Sequence, residues 1–204
     1  AAHGTTYTLP TSTVAIGNLA FPMARLKTID LGAAQTIGNQ AFVYSTLESL
    51  LIPDSVVSVG ESSFFGNTSL SSLVIGRGLN SISPQSFASC VSLNTVLVPN
   101  NIVTIDRGAF SRSGLSTVVF ESGSNLAAIG AEAFCDCSVT AIEIPASVTV
   151  IGDMAFVANP LGSVTFAENA QLHTIGGAAF AKCNLLADIT LPESLRTVGD
   201  QAFM

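Results

Sequence analysis

One short phrase, apolar–Gly–x–x–small–Phe, returns nine times along this chain and restricts it to a stacked repeat. It begins at Ile16, Ile37, Val59, Ile82, Ile105, Ile129, Ile151, Ile175 and Val198. Each copy ends on a phenylalanine, from Phe21 to Phe203, and successive rings are 21 to 24 residues apart. A fixed period in this range marks a solenoid, in which each coil touches only its neighbours. We number the coils 1 to 9 by these phenylalanines.

Each period carries a second phrase, Leu-x-x-apolar-x-apolar. Examples are Leu47…Leu50…Ile52, Leu93…Val96…Val98 and Val139…Ile142…Ile144. Its alternation predicts one short β-strand per coil and a parallel sheet along one side. Neighbouring strands stack about 4.8 Å apart, so nine coils span roughly 40 Å. The Gly phrase reads differently. Gly, Ser83 or Asp106 at its second position suits a helix N-cap, and Pro84 suits a first helical residue. The segment therefore predicts a single α or 3₁₀ turn that drops Phe into the core. Ala or Ser precedes Phe in every coil, so adjacent coils can approach and the rings form a column.

A double period is superimposed. Pro10, Pro53, Pro99, Pro145 and Pro192 occur six residues before the Gly phrase in odd coils only. Cys90, Cys137 and Cys183 sit three residues after Phe in coils 4, 6 and 8. Asn67, Ser113 and Asn159 hold that place in coils 3, 5 and 7, so the true unit is a coil pair of about 46 residues. Cysteines two coils apart are separated by roughly 10 Å, beyond the reach of a disulfide. Four free thiols are expected, with the turn cysteines satisfying backbone groups as Asn and Ser do.

The combined pattern Leu-x-x-Ile-x-Ile-Pro…Ile-Gly-x-x-Ala-Phe resembles the BspA-type leucine-rich repeat. Coil 7 shows it nearly whole, from Val139 through Ile144-Pro145 to Ile151-Gly152 and Ala155-Phe156. The match covers residues 9–204, with Ser83 and Asp106 departing from Gly and the even coils lacking Pro. The resemblance implies an α/β, right-handed leucine-rich-repeat solenoid, a single domain over residues 1–204. It also implies secreted or surface proteins, often adhesins that bind host matrix or other cells, with no shared catalytic residues. An extracellular or cell-surface location is the expectation that follows.

The remaining chemistry is sparse. Only 10% of residues are charged and the formal net charge is -7. Nucleic acid requires clustered Lys and Arg, so it is not an expected partner. No apolar run reaches the ~18 residues of a membrane span. His3 and His173 have no nucleophile or ligand at a meaningful spacing, and His173 reads as a solvated turn residue. Cys135-Asp136-Cys137 lacks a second motif at zinc spacing. We expect neither an enzyme nor a cofactor or metal site. Asn67-Thr68-Ser69 is a glycosylation sequon at a turn. A column of hydroxyls, including Thr36, Ser58, Thr104 and Thr174, is interrupted by Ala15, Ala128 and Val150, which argues against ice binding.

The outward strand positions say more. Along the stack they read Asp30, Leu51, Val74, Leu97, Val119, Glu143, Thr165 and Thr190. Leu51, Val74, Leu97 and Val119 form an apolar stripe about 15 Å long. Beside it runs a mostly hydroxyl column of Thr28, Ser49, Ser72, Thr95 and Thr117. This stripe is the candidate docking face for a protein, cell-surface or matrix ligand. Aliphatic residues also simply suit strands. The polar first ten residues suit a partial cap, whereas the chain stops inside the last phrase. The ends therefore suggest either a fragment of a longer array or end-to-end self-association, and the alternative function is a self-associating structural subunit of an extracellular filament or surface layer.

Overall fold

A computed structural model describes residues 5–204. His3, with Ala1, Ala2 and Gly4, lies outside the described residues. The chain winds through about nine coils, and all strand pairing is parallel between consecutive coils. The expected strand occurs in coils 2 to 8, as at Ser49–Ile52, Thr95–Val98 and Ala141–Ile144. Inward residues such as Leu50, Ile52, Val96 and Val98 are buried.

The expectation of one strand per coil needs enlarging. Two-residue strands such as Thr36–Ile37 and Thr104–Ile105 form a second parallel ladder just before each Gly phrase. That ladder breaks between Ser58–Val59 and Ser81–Ile82, the junction of coils 3 and 4. There the Ser83 hydroxyl donates to the Val59 carbonyl. In coil 9 the Leu186…Leu191 segment forms no strand.

The expected single-turn helices are absent among the described residues, and the reason is visible in the hydrogen bonds. In coil 2 the amides of Gln40, Phe42 and Tyr44 donate to Glu61, Ser63 and Phe65 of coil 3, at 2.9, 2.7 and 2.8 Å. The amides between them turn back instead, Ala41 to Gly38 and Ser45 to Phe42, at 3.4 and 3.2 Å. Half of the amides thus serve the next coil, which a helix forbids. Gln40 and Tyr44 each carry φ of 55°, as the third residue of a type II turn must. A non-glycine residue in that region costs about 1–2 kcal/mol, which the rung bonds offset.

The phrase glycines are not N-caps. A Cβ on Gly60 would meet the Asn39 backbone nitrogen at 2.5 Å, and one on Gly176 would meet that of Asp153 at 2.5 Å. They are small because the preceding coil lies against them.

The aromatic column is present. From Phe21 to Phe203, neighbouring ring centroids are 5.1 to 5.5 Å apart and the ring planes are within 15° of parallel. This is offset stacking, which adds about 0.5–1.5 kcal/mol per pair beyond burial. The Tyr7 ring tilts onto Phe21 at 5.8 Å, and Thr5–Thr8 pairs with Leu26–Asp30. The N-terminal residues therefore cover part of the first layer.

The position three after Phe forms a buried polar file beside the rings. Asn67 Nδ2 donates to the carbonyls of Phe42 and Phe64, at 2.8 and 2.9 Å. The Cys90, Cys137 and Cys183 thiols donate to Phe64, Phe110 and Phe156 carbonyls at 3.4, 3.1 and 3.3 Å. All four cysteines are free. Burial pushes Cys90 up to about 12 and Cys137 up to about 11. Burial, with the neighbouring Asp136 carboxylate, also raises Cys135. The Asn67 sequon is correspondingly closed: its side chain is fully buried and its amide is engaged on both coils.

Candidate functional site

The sheet face follows from strand alternation. With Leu50 and Ile52 turned inward, Leu51 must face out, and the same holds in the next three coils. Leu51, Val74, Leu97 and Val119 are 59%, 53%, 53% and 44% exposed. Leu51 pairs with Val74 and Leu97 pairs with Val119 in ladder register. The stripe expected from sequence is therefore assembled on one face. Asp30 and Glu143, both exposed, bracket it in the same column.

The strands of this face bond in twos. The pairs are coils 3 and 4, 5 and 6, and 7 and 8, with Thr5–Thr8 joined to coil 2. Proline explains the grouping. In coils 6 and 8 the residue after the strand donates to the preceding coil, Glu121 to Val98 at 3.0 Å and Ala167 to Ile144 at 2.9 Å. In odd coils that residue is Pro53, Pro99 or Pro145, which has no N–H to donate. Each even-to-odd junction is thus a seam in the sheet. The stripe crosses one of them between Val74 and Leu97.

At that seam the gap is spanned by charge. Arg77 of coil 4 pairs with Glu121 of coil 6 and donates to Asn100 Oδ1 of coil 5 at 2.9 Å. The Asn100 amide donates to Glu121 Oε2 at 2.9 Å. The Arg77 bond and the Asn100 amide hold the Glu121 carboxyl below its usual range, and Glu121 raises Arg77 in turn. Sequence reading missed this network. The double period is the one signal for it, because the partners stand 44 residues apart, close to one full coil pair.

Other candidates fare differently. His173 is half-buried rather than freely solvated, and its carbonyl accepts from Arg196 and Thr197 at 2.9 and 3.0 Å. Cys135 and Cys137 stay apart from any ligand set, since no group of three His, Cys, Asp or Glu among the described residues is placed to hold a metal. No helix among the described residues is long and apolar enough to cross a membrane. A second exposed apolar group, Leu19, Met23 and Tyr44, occupies the turn side of coils 1 and 2.

Comparison with known proteins agrees with this architecture. The family model for the BspA type leucine rich repeat region matches in six copies, over residues 3–116 and 104–204. No protein of curated function is detectably similar in sequence. Among solved structures, a leucine-rich repeat protein from Bacteroides ovatus superposes with a TM-score of 0.65 at 20% identity, covering 94% of this chain and 68% of that one. The pneumococcal vaccine antigen PcpA gives 0.70 at 22% identity, covering 95% and 58%. The leucine rich repeat protein of T. pallidum gives 0.67 at 25% identity, covering 92% and 80%. The chain thus spans little more than half of the pneumococcal antigen.

Proposed function

Given that the chain belongs to the BspA-type leucine-rich-repeat family, we propose that it is a non-enzymatic binding module whose sheet face docks a protein or cell-surface ligand outside the cell. One observation carries this reading: four consecutive outward rungs are apolar and each is more than 40% exposed. Burying such a patch supplies roughly 25 cal/mol per Å² to association. The hydroxyl column beside it, from Ser72 to Thr117, supplies a polar rim that charge screening does not weaken. The surface is dressed mainly with uncharged polar groups, with few charged residues among them.

The test is Leu97→Asp, with binding of the labelled protein to cultured cells and to matrix-coated surfaces as the readout. The variant is expected to keep its circular dichroism and melting temperature, because Leu97 contributes nothing to the core. Its binding is expected to fall at least about tenfold, the cost of one unpaired charge in an apolar interface. Undiminished binding by a folded variant removes the stripe from the function.

A further inference from the structure

The seams open into clefts, and two of them share one chemistry. Between coils 6 and 7 a cleft of about 620 Å³ is lined by Phe120, Glu143 and Pro145. Between coils 8 and 9 a cleft of about 600 Å³ is lined by Phe166, Asp188, Pro192 and Glu193. Phe120 and Phe166 end the strands of even coils, pack against the core and are only half-buried. Glu143, Asp188 and Glu193 are exposed and take part in no ion pair among the described residues.

A part-exposed aromatic side chain, a proline wall and an unpaired carboxylate together suit one kind of guest. It has an aliphatic stem and a cationic head, as Lys and Arg do. The chain itself supplies the precedent. At the equivalent seam between coils 4 and 5, its own Arg77 reaches over the junction to Asn100 and Glu121. That seam is bridged by the chain's own guanidinium, and the two aromatic ones are bridged by no ion pair among the described residues.

We propose that these two clefts receive two Lys or Arg side chains of a protein partner lying along the stack, beside the apolar stripe. The proposal rests on the docking function above and names its partner class, a basic extended polypeptide. The clefts are two coils apart, roughly 10 Å. A polyproline II chain advances about 3.1 Å per residue and returns to the same face every third residue, so the two basic residues stand three positions apart, as in Arg-x-x-Arg.

The experiment uses the full chain and a fluorescein-labelled, Ser/Thr-based 14-residue peptide carrying Arg-x-x-Arg, read by anisotropy at 0.15 M salt. One control peptide replaces both Arg by Gln, and another places them side by side. The Arg-x-x-Arg peptide is expected to bind about tenfold more tightly than either control, two cation–π contacts supplying the difference. Glu143→Gln with Asp188→Asn is expected to reduce that preference, with Glu193 left in the second cleft. Phe120→Leu with Phe166→Leu is expected to weaken it, and both doubles are first checked for native circular dichroism. Equal binding of the Gln peptide, or an unchanged preference in the folded carboxylate double, overturns the proposal. Equal binding of the adjacent-Arg peptide overturns the two-cleft spacing. Cell binding separates this inference from its premise. If Leu97→Asp loses it and the carboxylate double keeps it, the docking face stands and the clefts fall. If neither variant loses it, both fall.

Discussion

Asn159 Nδ2 donates to the carbonyl of Phe134 in the preceding coil at 2.7 Å. It also donates to Phe156 of its own coil at 3.0 Å. The Asn159 Oδ1 accepts the Val139 amide at 3.0 Å. One buried side chain thus satisfies three backbone groups across two coils, in the place where the neighbouring even coils use a thiol. The coil-to-coil contact is therefore as much a polar file as an aromatic one.

Replacing that amide is expected to be costly. Asn159→Ala leaves the Phe134 carbonyl and the Val139 amide without a partner in the core. The expected loss is about 2–4 kcal/mol of unfolding free energy. Urea denaturation checks it, with Asn184→Ala, an exposed turn residue, as the neutral reference.

The phenylalanine column makes position a controlled variable. Phe110 is fully buried between two rings, whereas Phe203 is 40% exposed. Phe110→Ala is expected to lose about 3–5 kcal/mol. Phe203→Ala, with one stacking partner, is expected to lose about 1–2 kcal/mol. Equal effects in chemical denaturation contradict the column as the source of stability.

Glycine offers a sharper contrast. A Cβ at Gly60 meets the Asn39 backbone nitrogen and Oδ1 at 2.5 and 2.4 Å, while one at Gly17 has nothing within 4 Å. Gly60→Ala is expected to destabilise by about 1–3 kcal/mol through forced separation of coils. Gly17→Ala is expected to be neutral or to stabilise by about 0.4–1 kcal/mol, because it restricts only the unfolded chain. Paired thermal melts decide the matter.

The buried thiols set an alkaline limit. Burial raises Cys90 to about 12 and Cys137 to about 11 in the folded protein, above the ordinary thiol value. The folded state therefore holds these protons more tightly than the unfolded state does. Their contribution is fully present below the unfolded thiol value, near pH 8.5, and is lost as pH climbs through the folded values. The urea midpoint is expected to fall between pH 9 and 11 and to stay flat from pH 7 to 8. In Cys90→Ala the alkaline fall is expected to be shallower.

The sequence reading and the structure diverge at particular residues. The period, the inward strand residues and the ring column were all present in the spacing of Phe and Leu. The helical turn expected of the Gly phrase is replaced at Gln40 by a turn bonded to the next coil, and the chain continues past Phe42 into another at Tyr44. Gln40 and Tyr44 adopt positive φ without being glycine, and no local rule announces it. Their conformation is selected by the carbonyls of the next coil. Gly38 and Gly60 suit a cap by sequence, but in the stack their role is to let backbone approach backbone. The candidate stripe was readable because alternation alone turns Leu51 and Leu97 outward. The clefts were not, because Phe120 and Phe166 look like ordinary inward strand ends.

Local order along this polypeptide was written in its periodicity: where a coil begins, which residues point inward, and that prolines mark alternate coils. Periodicity encodes direction, since the side chains of a strand alternate whatever lies beside it. The stack alone decided how amides are shared between coils, which glycines are indispensable and where the sheet parts into pairs. Those features depend on atoms more than twenty residues away. A proline's missing donor acquires its meaning only when a carbonyl of the preceding coil is left facing it.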